Sequence, residues 1–330
     1  MRQKITFFYP HVNLFEITEN ADPEVIGKLF FTDTSAIWIY QTYLKLKEID
    51  PDIMLSSTLP DSGIIIAFEG DLPVPCETRK ERYLISIIAD SSPRSFANMR
   101  IVQNRAQLRL VKRSTHIPHW PQPGLSHRDR ARGTEVKNVV YIGDIANIAP
   151  EMLLPSFATE MAKLGVIWTM RLSGDVGVND YTDVDILVAV RHFTLDGYTR
   201  KPASKLQNAW LAGVPAVLGP EIAFQEIGTH GVDYLEARNQ RDIVSAVDRL
   251  KTDSDFYNSV VSAGLEKAVN LESNIVQQWQ SIFETARSEY DAWSRKTNLG
   301  VFWARNIVDQ KIRGLRHRLL KRQGLDHNAV

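Results

Sequence analysis

The stretch RKPASKLQNAWLAGVPAVLGP, residues 200–220, decides how this chain folds. Pro202 suits the first turn of a helix, where a proline loses no hydrogen bond, and the residues after it are spaced as one apolar face of a helix. Gly213 and Pro215 end that helix. The segment VPAVLGP then continues as a short buried strand. A helix from 202 or 203 to about 212 that leads into a buried strand is typical of a parallel, open α/β sheet.

Cations surround the start of this predicted helix. Arg200 and Lys201 precede it, and Ser204 and Lys205 lie in its first turn. A helix start carries partial positive charge and free N–H groups, so cations are misplaced there unless an anion binds. A diphosphate would satisfy the arrangement, because the N–H groups and Ser204 can donate to phosphate oxygens while the cations compensate the charge. The sequence therefore predicts a diphosphate site.

Two residues at the ends of other predicted strands belong to the same prediction. Arg191 follows the strand DVDILVAV (183–190), and ligands of open α/β sheets bind outside the carboxyl ends of the strands. Gly143 ends the strand of NVVYIGD (138–144), where a glycine lets the backbone approach a phosphate. The alternative for Gly143 is a role in the turn alone.

The alternation of strand and helix extends along the chain. In the first half, strands are predicted at 4–9, 52–55, 63–68, 83–89 and 106–111, with a helix at 34–48. In the second half, strands are predicted at 138–144, 166–172, 183–190 and 233–236, with helices at 150–165 and 240–251 and helical character over 255–294. The predicted units are an N-terminal domain (1–113), a proline- and charge-rich connection (114–137), a C-terminal domain (138–294) and a basic helical tail (295–330).

Composition narrows the class of protein. A chain of 330 residues, 44% of them apolar, is long enough for two ordinary cores. Lysine plus arginine equals aspartate plus glutamate at 39 each, so net charge gives no support for nucleic acid as a partner. Cys76 is the single cysteine, and the sequence has no apolar run approaching a membrane span of about twenty residues. These features favour a cytoplasmic location.

Three segments resemble the C-terminal domain of glycosyltransferases with the two-Rossmann GT-B fold, of the family 1 and family 4 kind. They are YTDVDILVAVR (181–191), RKPASKLQNAWLAGVPAVLGPEIAFQEI (200–227) and DYLEARNQRDIVSAVDRL (233–250). The resemblance implies an α/β protein of the GT-B fold, with two Rossmann-like doubly wound domains facing a cleft, plus C-terminal helices. It implies a nucleotide diphosphate sugar donor of the UDP or GDP type, no other cofactor, no divalent metal, and a glycan or lipid-linked acceptor.

The sequence departs from that family at two positions. Many retaining members carry two glutamates spaced E-x7-E, and the matching positions here are Arg200 and Asn208. The donor segment also resembles that of α1,3-fucosyltransferases, with Ser204 in place of a glutamate. Retaining or inverting chemistry therefore stays open, as do two alternatives: an inactive sugar-nucleotide-binding or scaffold protein, and a nucleotide-sugar epimerase. Asn208 is retained as a candidate donor contact.

Carboxylates and a histidine complete the candidate site. Glu221 can accept two O–H bonds from a vicinal diol of ribose or sugar; the alternative is an ordinary carboxylate at a helix start. A general base for an inverting reaction can come from His11, Glu69 or Asp71, in loops after predicted strands. His11 is the best candidate because it directly follows the first strand and its ordinary pKa lies near 6.5; the alternative is a structural histidine.

Other polar clusters in the sequence are interpreted differently. His116, His119 and His127 lack the spacing of a zinc site. In the tail, Val308, Ile312, Leu315 and Leu319 lie on one helical stripe flanked by cations. Such a tail can lie on an anionic membrane surface, and the alternative is that the stripe packs on the protein.

Overall fold

The structure is a computed structural model that describes residues 2–11, 30, 33–73, 76, 79–175, 177–194, 197–296 and 298–322; the side chains of 313, 314 and 316–322 lie outside the description. Two parallel sheets organise these residues, one in each half of the chain. Within the described residues, no helix carries an apolar run long enough to cross a membrane.

The first sheet has six strands in the order β2-β1-β3-β4-β5-β6, all parallel. The strands are β1 Ile5–Phe8, β2 Ile53–Ser56, β3 Gly63–Phe68, β4 Arg82–Ile87, β5 Met99–Val102 and β6 Ser114–His116. Helix α1 (Gln41–Leu46), with a π-helical turn at Ala36–Tyr40 before it, connects the first two strands. Central strands such as GIIIAF are apolar throughout because helices cover both faces of a parallel sheet.

The second sheet has five parallel strands in the order β11-β10-β9-β7-β8. The strands are β7 Asn138–Gly143, β8 Ile167–Leu172, β9 Ile186–Ala189, β10 Ala216–Leu218 and β11 Leu235–Glu236. The helices are α2 Pro155–Lys163, α3 Ser204–Ala212, α4 Ile222–Ile227, α5 Gln240–Thr252 and α6 Ser254–Ala268. The expectation of two doubly wound α/β halves is confirmed.

The last two helices return to the first half of the chain. In α7 (Leu271–Ser294), Ile275, Trp279 and Phe283 join the same buried core as Phe7 of β1. Helix α8 (Gly300–Arg322) follows on the same side. The prediction grouped 138–294 as one domain; the structure places α7 in the core of the first. An amphipathic pattern shows that a helix buries one face, but not against which sheet.

Two strands of the first sheet also differ from the prediction. The run at 106–111 is a 3₁₀ turn, Arg105–Arg109, whose first turn is capped by the Asn104 side chain. Strand β5 was not predicted, and β6 lies inside the predicted connection. Strand β5 (MRIV) contains Arg100 and β6 (STH) is polar, so neither shows the run of apolar residues that marks the other strands.

Asp185 fixes the remainder of the connection to the second sheet. Its buried carboxylate accepts hydrogen bonds from Arg128 and Arg132, each at 2.7 Å, and from the backbone N–H groups of Lys137 and Asn138, both at 2.8 Å. Burial alone would raise the pKa of Asp185, but these donors hold it below its ordinary value. The carboxylate therefore orients the start of β7.

Candidate functional site

A cavity of about 370 Å³ lies between the two halves of the molecule. The first domain contributes Ile37 and Gln41 to its wall, and the connection contributes His119 and Trp120. Five of the residues that the sequence predicts for the donor site line the opposite wall: Gly143, Arg191, Ser204, Lys205 and Asn208. The carboxyl end of β7 and the start of α3 therefore face the first domain across this cavity.

Helix α3 presents an open start to the cavity. Its N-cap residue is Ala203, whose methyl group cannot accept a hydrogen bond. Ser204 is the first helical residue, so its side chain and the first backbone N–H groups lie at the cavity wall. The helix ends at Gly213, in the left-handed conformation with φ +71°. The helix ends where the sequence predicted and begins one or two residues later than predicted.

Lys205 extends from α3 to the end of β7. Its ammonium group donates a hydrogen bond to the carbonyl oxygen of Ile142 and lies 5.2 Å from the centre of the Tyr141 ring. Burial, together with the nearby Arg191 guanidinium, lowers the pKa of Lys205 to about 7. An anion that enters the cavity would reverse this shift by stabilising the charged ammonium.

Gly143 makes room for that lysine. A Cβ atom built on Gly143 would lie 2.6 Å from the Lys205 ammonium nitrogen and 2.8 Å from the Tyr141 hydroxyl. Its φ of +157° is also one that L side chains rarely adopt. The glycine is therefore required by a close approach as well as by the turn.

Arg191, in the cavity wall, pairs with the buried Glu221, which is not itself among the described residues that line the cavity. The Arg191 Nε lies 3.0 Å from Glu221 Oε1, and the same guanidinium donates to Asn147. Glu221 is 2% exposed, and its Oε2 is buried with no hydrogen-bond partner among the described residues. Burial raises the pKa of Glu221, while Arg191 acts to lower it. A buried carboxylate oxygen of this kind is expected to have a partner such as a ligand hydroxyl.

Arg200 and Lys201, which the sequence also assigned to the diphosphate, are not among the described residues that line the cavity. Lys201 Nζ lies 2.6 Å from Asp90 of the first domain. Arg200 donates to the Asp90 carbonyl at 3.4 Å, and its own carbonyl accepts from Gln103 at 2.7 Å. Their loop faces the loop after β4, so both cations join the two domains. Sequence proximity to α3 could not distinguish this contact from a phosphate contact.

Asn208 lines the cavity while it holds the connection. Its Nδ2 donates to Gln122 Oε1 at 3.2 Å, and its Oδ1 accepts from the Gln122 backbone N–H at 3.3 Å. The amide is thus paired with protein atoms on both sides.

The three predicted candidates for a base lie in two different environments. His11 is exposed, and its Nε2 lies 3.4 Å from Asp71 Oδ1; Asp71 also accepts from the Ser35 hydroxyl. Glu69 is buried and accepts from the backbone N–H groups of residues 94 and 95, both at 2.6 Å. The geometry places the His11 ring within hydrogen-bond reach of Asp71, and neither residue is among the described residues that line the cavity. For Glu69 it favours a structural role.

His119 is a cavity residue that the sequence analysis considered only as a metal ligand. Its Nδ1 lies 2.8 Å from the carbonyl oxygen of Trp120. A carbonyl can only accept, so Nδ1 carries the proton and Nε2 is left as an acceptor. Burial lowers the pKa of His119, which keeps the ring neutral. The residue follows β6 at the carboxyl edge of the first sheet. Because β6 was not predicted from the sequence, His119 was not expected at this edge.

Metal-ligating side chains do not converge in the part of the chain that the structure describes: no group of three histidine, cysteine, aspartate or glutamate residues there could hold an ion. His116, His119 and His127 accordingly do not form such a group.

Comparison with solved structures identifies the architecture. The chain is similar to AviGT4, a glycosyltransferase involved in avilamycin A biosynthesis, with a TM-score of 0.55 and 12% identity over 87% of this chain and 98% of AviGT4. It is similar to TarM, with a TM-score of 0.52 and 13% identity. A third match is a mutant of Staphylococcus aureus TarM in complex with fondaparinux, alpha-GlcNAc-glycerol and UDP, with a TM-score of 0.50 and 13% identity.

These matches show the fold. Together with the two parallel sheets, they give this chain the GT-B fold that the sequence predicted. Both TarM structures match 73% of this chain, which spans 57% of the TarM chain. No model of a protein family matches the sequence, and neither does any curated protein.

Proposed function

We propose that this protein is a glycosyltransferase that moves a sugar from a nucleotide diphosphate sugar to a hydroxyl group of a glycan or a lipid-linked acceptor. The observation that carries the proposal is the start of α3, which opens into the interdomain cavity beside Lys205 and Arg191. Free N–H groups, a hydroxyl and two cations in one partly buried place are the donors that a diphosphate requires. AviGT4 is described as a glycosyltransferase, and the fold is shared.

The donor would lie with its diphosphate at α3. Glu221 Oε2, the buried carboxylate oxygen that has no protein partner among the described residues, would accept a hydroxyl hydrogen bond from the donor sugar or ribose. UDP and GDP both carry the diphosphate that this site would bind. UDP is favoured as the first nucleotide to test because the TarM mutant structure contains it.

Protein cations would compensate the charge of the leaving diphosphate. Arg191 and Lys205 both line the cavity, and the helix start adds partial positive charge. We therefore expect turnover to persist when divalent ions are removed with EDTA. A loss of activity in EDTA that Mg²⁺ or Mn²⁺ restores would contradict this part of the proposal.

In an inverting reaction, the acceptor oxygen attacks the anomeric carbon as the bond from that carbon to the diphosphate oxygen breaks. The leaving nucleoside diphosphate takes the electron pair, and a base takes the acceptor proton. We propose His11, oriented by Asp71, as that base, and His119 is the second candidate because it lines the cavity with an acceptor nitrogen. The anomeric configuration of the product distinguishes inversion from retention.

Ligand binding tests the donor site directly. Thermal unfolding of the wild type and of Lys205→Ala would be followed with UDP, GDP, CDP, dTDP and their common sugar conjugates, because a ligand that binds the folded state raises the melting temperature. Loss of a charge-assisted hydrogen bond of about 1.5–3 kcal/mol lowers affinity about ten- to a hundredfold. Lys163→Ala, on the surface of α2, is the matched control. No shift with any nucleotide would overturn the donor site.

A sugar-nucleotide-binding protein without turnover is the second candidate. It is favoured by Asn208 and Arg200, which replace the family glutamates and pair with Gln122 and the Asp90 carbonyl. Nucleoside diphosphate release from a bound donor, measured with a broad panel of glycan and lipid-linked acceptors, decides between the two. Binding without release favours the second candidate, and release of an epimerised sugar without acceptor would favour an epimerase.

A further inference from the structure

Helix α8 exposes a row of apolar side chains along its outer face. The exposed fractions are 67% for Val301, 52% for Val308, 47% for Ile312 and 54% for Leu315. Their spacing places them on one side of the helix, continuous over about four turns. The alternative stated from the sequence, that this stripe packs on the protein, is wrong for the last three of these residues. The fourth residue of the predicted stripe, Leu319, lies outside the described side chains.

A different face of α8 makes the contacts with the protein. Asn306 is buried and accepts a hydrogen bond from Arg113 at 3.1 Å, and Phe302 packs against Trp293 of α7 with ring centres 4.8 Å apart. Gln310 donates to the carbonyl oxygen of Arg94 at 2.7 Å. The inner face of the helix therefore packs on the first domain. The apolar row on the outer face stays exposed although the helix is packed.

Positive charge is concentrated around the same helix. Residues 295–322 contain nine lysines and arginines and one acid, Asp309, in a chain whose net charge is zero. Asp309 lies 3.0 Å from Lys112 and is largely covered. Arg305 and Lys311 are exposed beside the apolar row. The described part of the outer side of α8 thus combines apolar surface with two exposed cations, in a segment whose excess of positive charge the neutral overall composition concealed.

A basin of about 1240 Å³ extends this surface toward α7. Arg295 and Lys296 lie at its rim, and Trp293 and Phe302 are among its aromatic lining residues. The Lys296 ammonium lies 4.7 Å from the centre of the Trp293 ring. Cations beside aromatic rings suit the boundary between lipid headgroups and acyl chains.

We propose that α8 and this basin dock the protein on an anionic lipid bilayer. The row Val301, Val308, Ile312 and Leu315 would enter the headgroup region, and the flanking cations would contact lipid phosphates. Charge complementarity selects the occupant, because a surface with this excess of cations repels a second copy of itself. Gln310 donates a hydrogen bond to the carbonyl oxygen of Arg94, and the Arg94 N–H donates to Glu69, which follows β3. The helix therefore lies beside loops at the carboxyl edge of the first sheet. Membrane contact would hold that edge near lipid-linked molecules.

Vesicle sedimentation tests the proposal with the full chain and no nucleotide. Vesicles of phosphatidylcholine alone would be compared with vesicles in which roughly one third of the lipid is phosphatidylglycerol, at low and high salt. The wild type is expected to bind the anionic vesicles about tenfold more tightly or better, and salt is expected to weaken that binding. Val308→Ser/Ile312→Ser/Leu315→Ser and Arg305→Gln/Lys311→Gln are each expected to lose most of it.

Two control variants match these changes on other surfaces. Val232→Ser/Leu265→Ser/Val269→Ser removes three exposed apolar side chains, and Lys137→Gln/Lys163→Gln removes two exposed cations. Both should bind anionic vesicles as the wild type does.

Equal binding to both kinds of vesicle, or undiminished binding by the α8 variants, would overturn the proposal. So would a dimer in light scattering that only the α8 variants abolish, since the row would then contact a second copy. Thermal shifts with nucleotides test the proposed function independently. If nucleotides still raise the melting temperature when vesicle binding fails, only the docking proposal is overturned.

Discussion

At the scale of single residues, Lys205 dominates the electrostatics of the cavity. Its ammonium is held between the start of α3 and the end of β7, beside Arg191, and its pKa falls to about 7. A lysine in this state is only partly charged near neutral pH. Phosphate oxygens would favour the charged form, so donor binding and proton uptake are coupled at this residue.

We expect the affinity for UDP to depend on pH through Lys205. Without UDP, the pKa of Lys205 is about 7, and bound UDP is expected to raise it. The affinity for UDP should therefore be highest below about pH 7. It should weaken as the pH rises, by at most tenfold per pH unit. Calorimetric titration between about pH 7 and 9, in two buffers of different ionisation enthalpy, measures the affinity and the protons taken up. Lys205→Met should remove both effects; an unchanged pH slope in that variant would contradict the assignment.

Gly143→Ala tests the close approach of the lysine. The added methyl group would displace the Lys205 ammonium, from which an ideal Cβ lies 2.6 Å away, so the affinity for UDP should fall about tenfold while the fold survives. Gly133→Ala is the control, because Gly133 also has a positive φ but no atom lies within 4 Å of its Cβ position. If both variants retain wild-type affinity, the glycine serves the turn alone.

At the scale of secondary-structure elements, α7 determines the stability of the first domain. Trp279 is fully buried, with its ring centre 6.1 Å from that of Phe7 in β1 and 6.0 Å from that of Phe283. A helix that follows the second sheet in sequence thus completes the core of the first. The two folding units are therefore interleaved in the chain.

Trp279→Ala should reduce the free energy of unfolding by about 3–5 kcal/mol, because it removes a large side chain from a closed core. Trp303→Ala, on the exposed part of α8, should change it by less than about 1 kcal/mol. Urea unfolding followed by circular dichroism compares the two variants. Equal midpoints would show that α7 is not part of a cooperative core.

The sequence predicted elements whose signals are local. The helix at Ser204–Ala212 has its proline, its glycine stop and its apolar face within thirteen residues, and the structure confirms it. Strands β5 and β6 carry no comparable signal because neither is a run of apolar residues. The sheet against which α7 packs and the residue with which Lys201 pairs depend on the tertiary arrangement. No local sequence pattern encodes that arrangement.

The same distinction applies to the candidate site. Arg191, Ser204 and Lys205 follow from strand ends and a helix start, whose direction a parallel sheet fixes. His119 enters the cavity only through the path of the connection, and the roles of Glu69 and Asn208 depend on partners far away in sequence. Residues near a sheet edge were thus predictable, whereas their hydrogen-bond partners were not.

At the scale of the whole molecule, the two domains contact each other beside the cavity through Asp90. Its carboxylate pairs with Lys201 at 2.6 Å and accepts from Gln103 at 2.6 Å. A partly exposed ion pair of this kind contributes about 0–1 kcal/mol. A pair of this strength would favour contact between the two domains without fixing them in one arrangement.

Asp90→Asn should raise the ratio of open to closed molecules by up to about fivefold, because a loss of about 1 kcal/mol changes an equilibrium constant by about that factor. Small-angle scattering would show a larger radius of gyration than in the wild type. Asp61→Asn removes a carboxylate that pairs with Arg79 inside the first domain and should leave the scattering unchanged. Identical curves for both variants would mean that Asp90 does not contribute to closure.

The return of α7 to the first core means that the chain passes between the domains twice, once through 117–137 and again between α6 and α7. Two covalent connections would oppose sliding and twisting of one domain on the other more than a single connection would. A protease that cuts 117–137 would leave both halves attached through the second connection. We therefore expect the cleft to open about the line between the two connections, so that closing it would bring the same pair of sheet edges together.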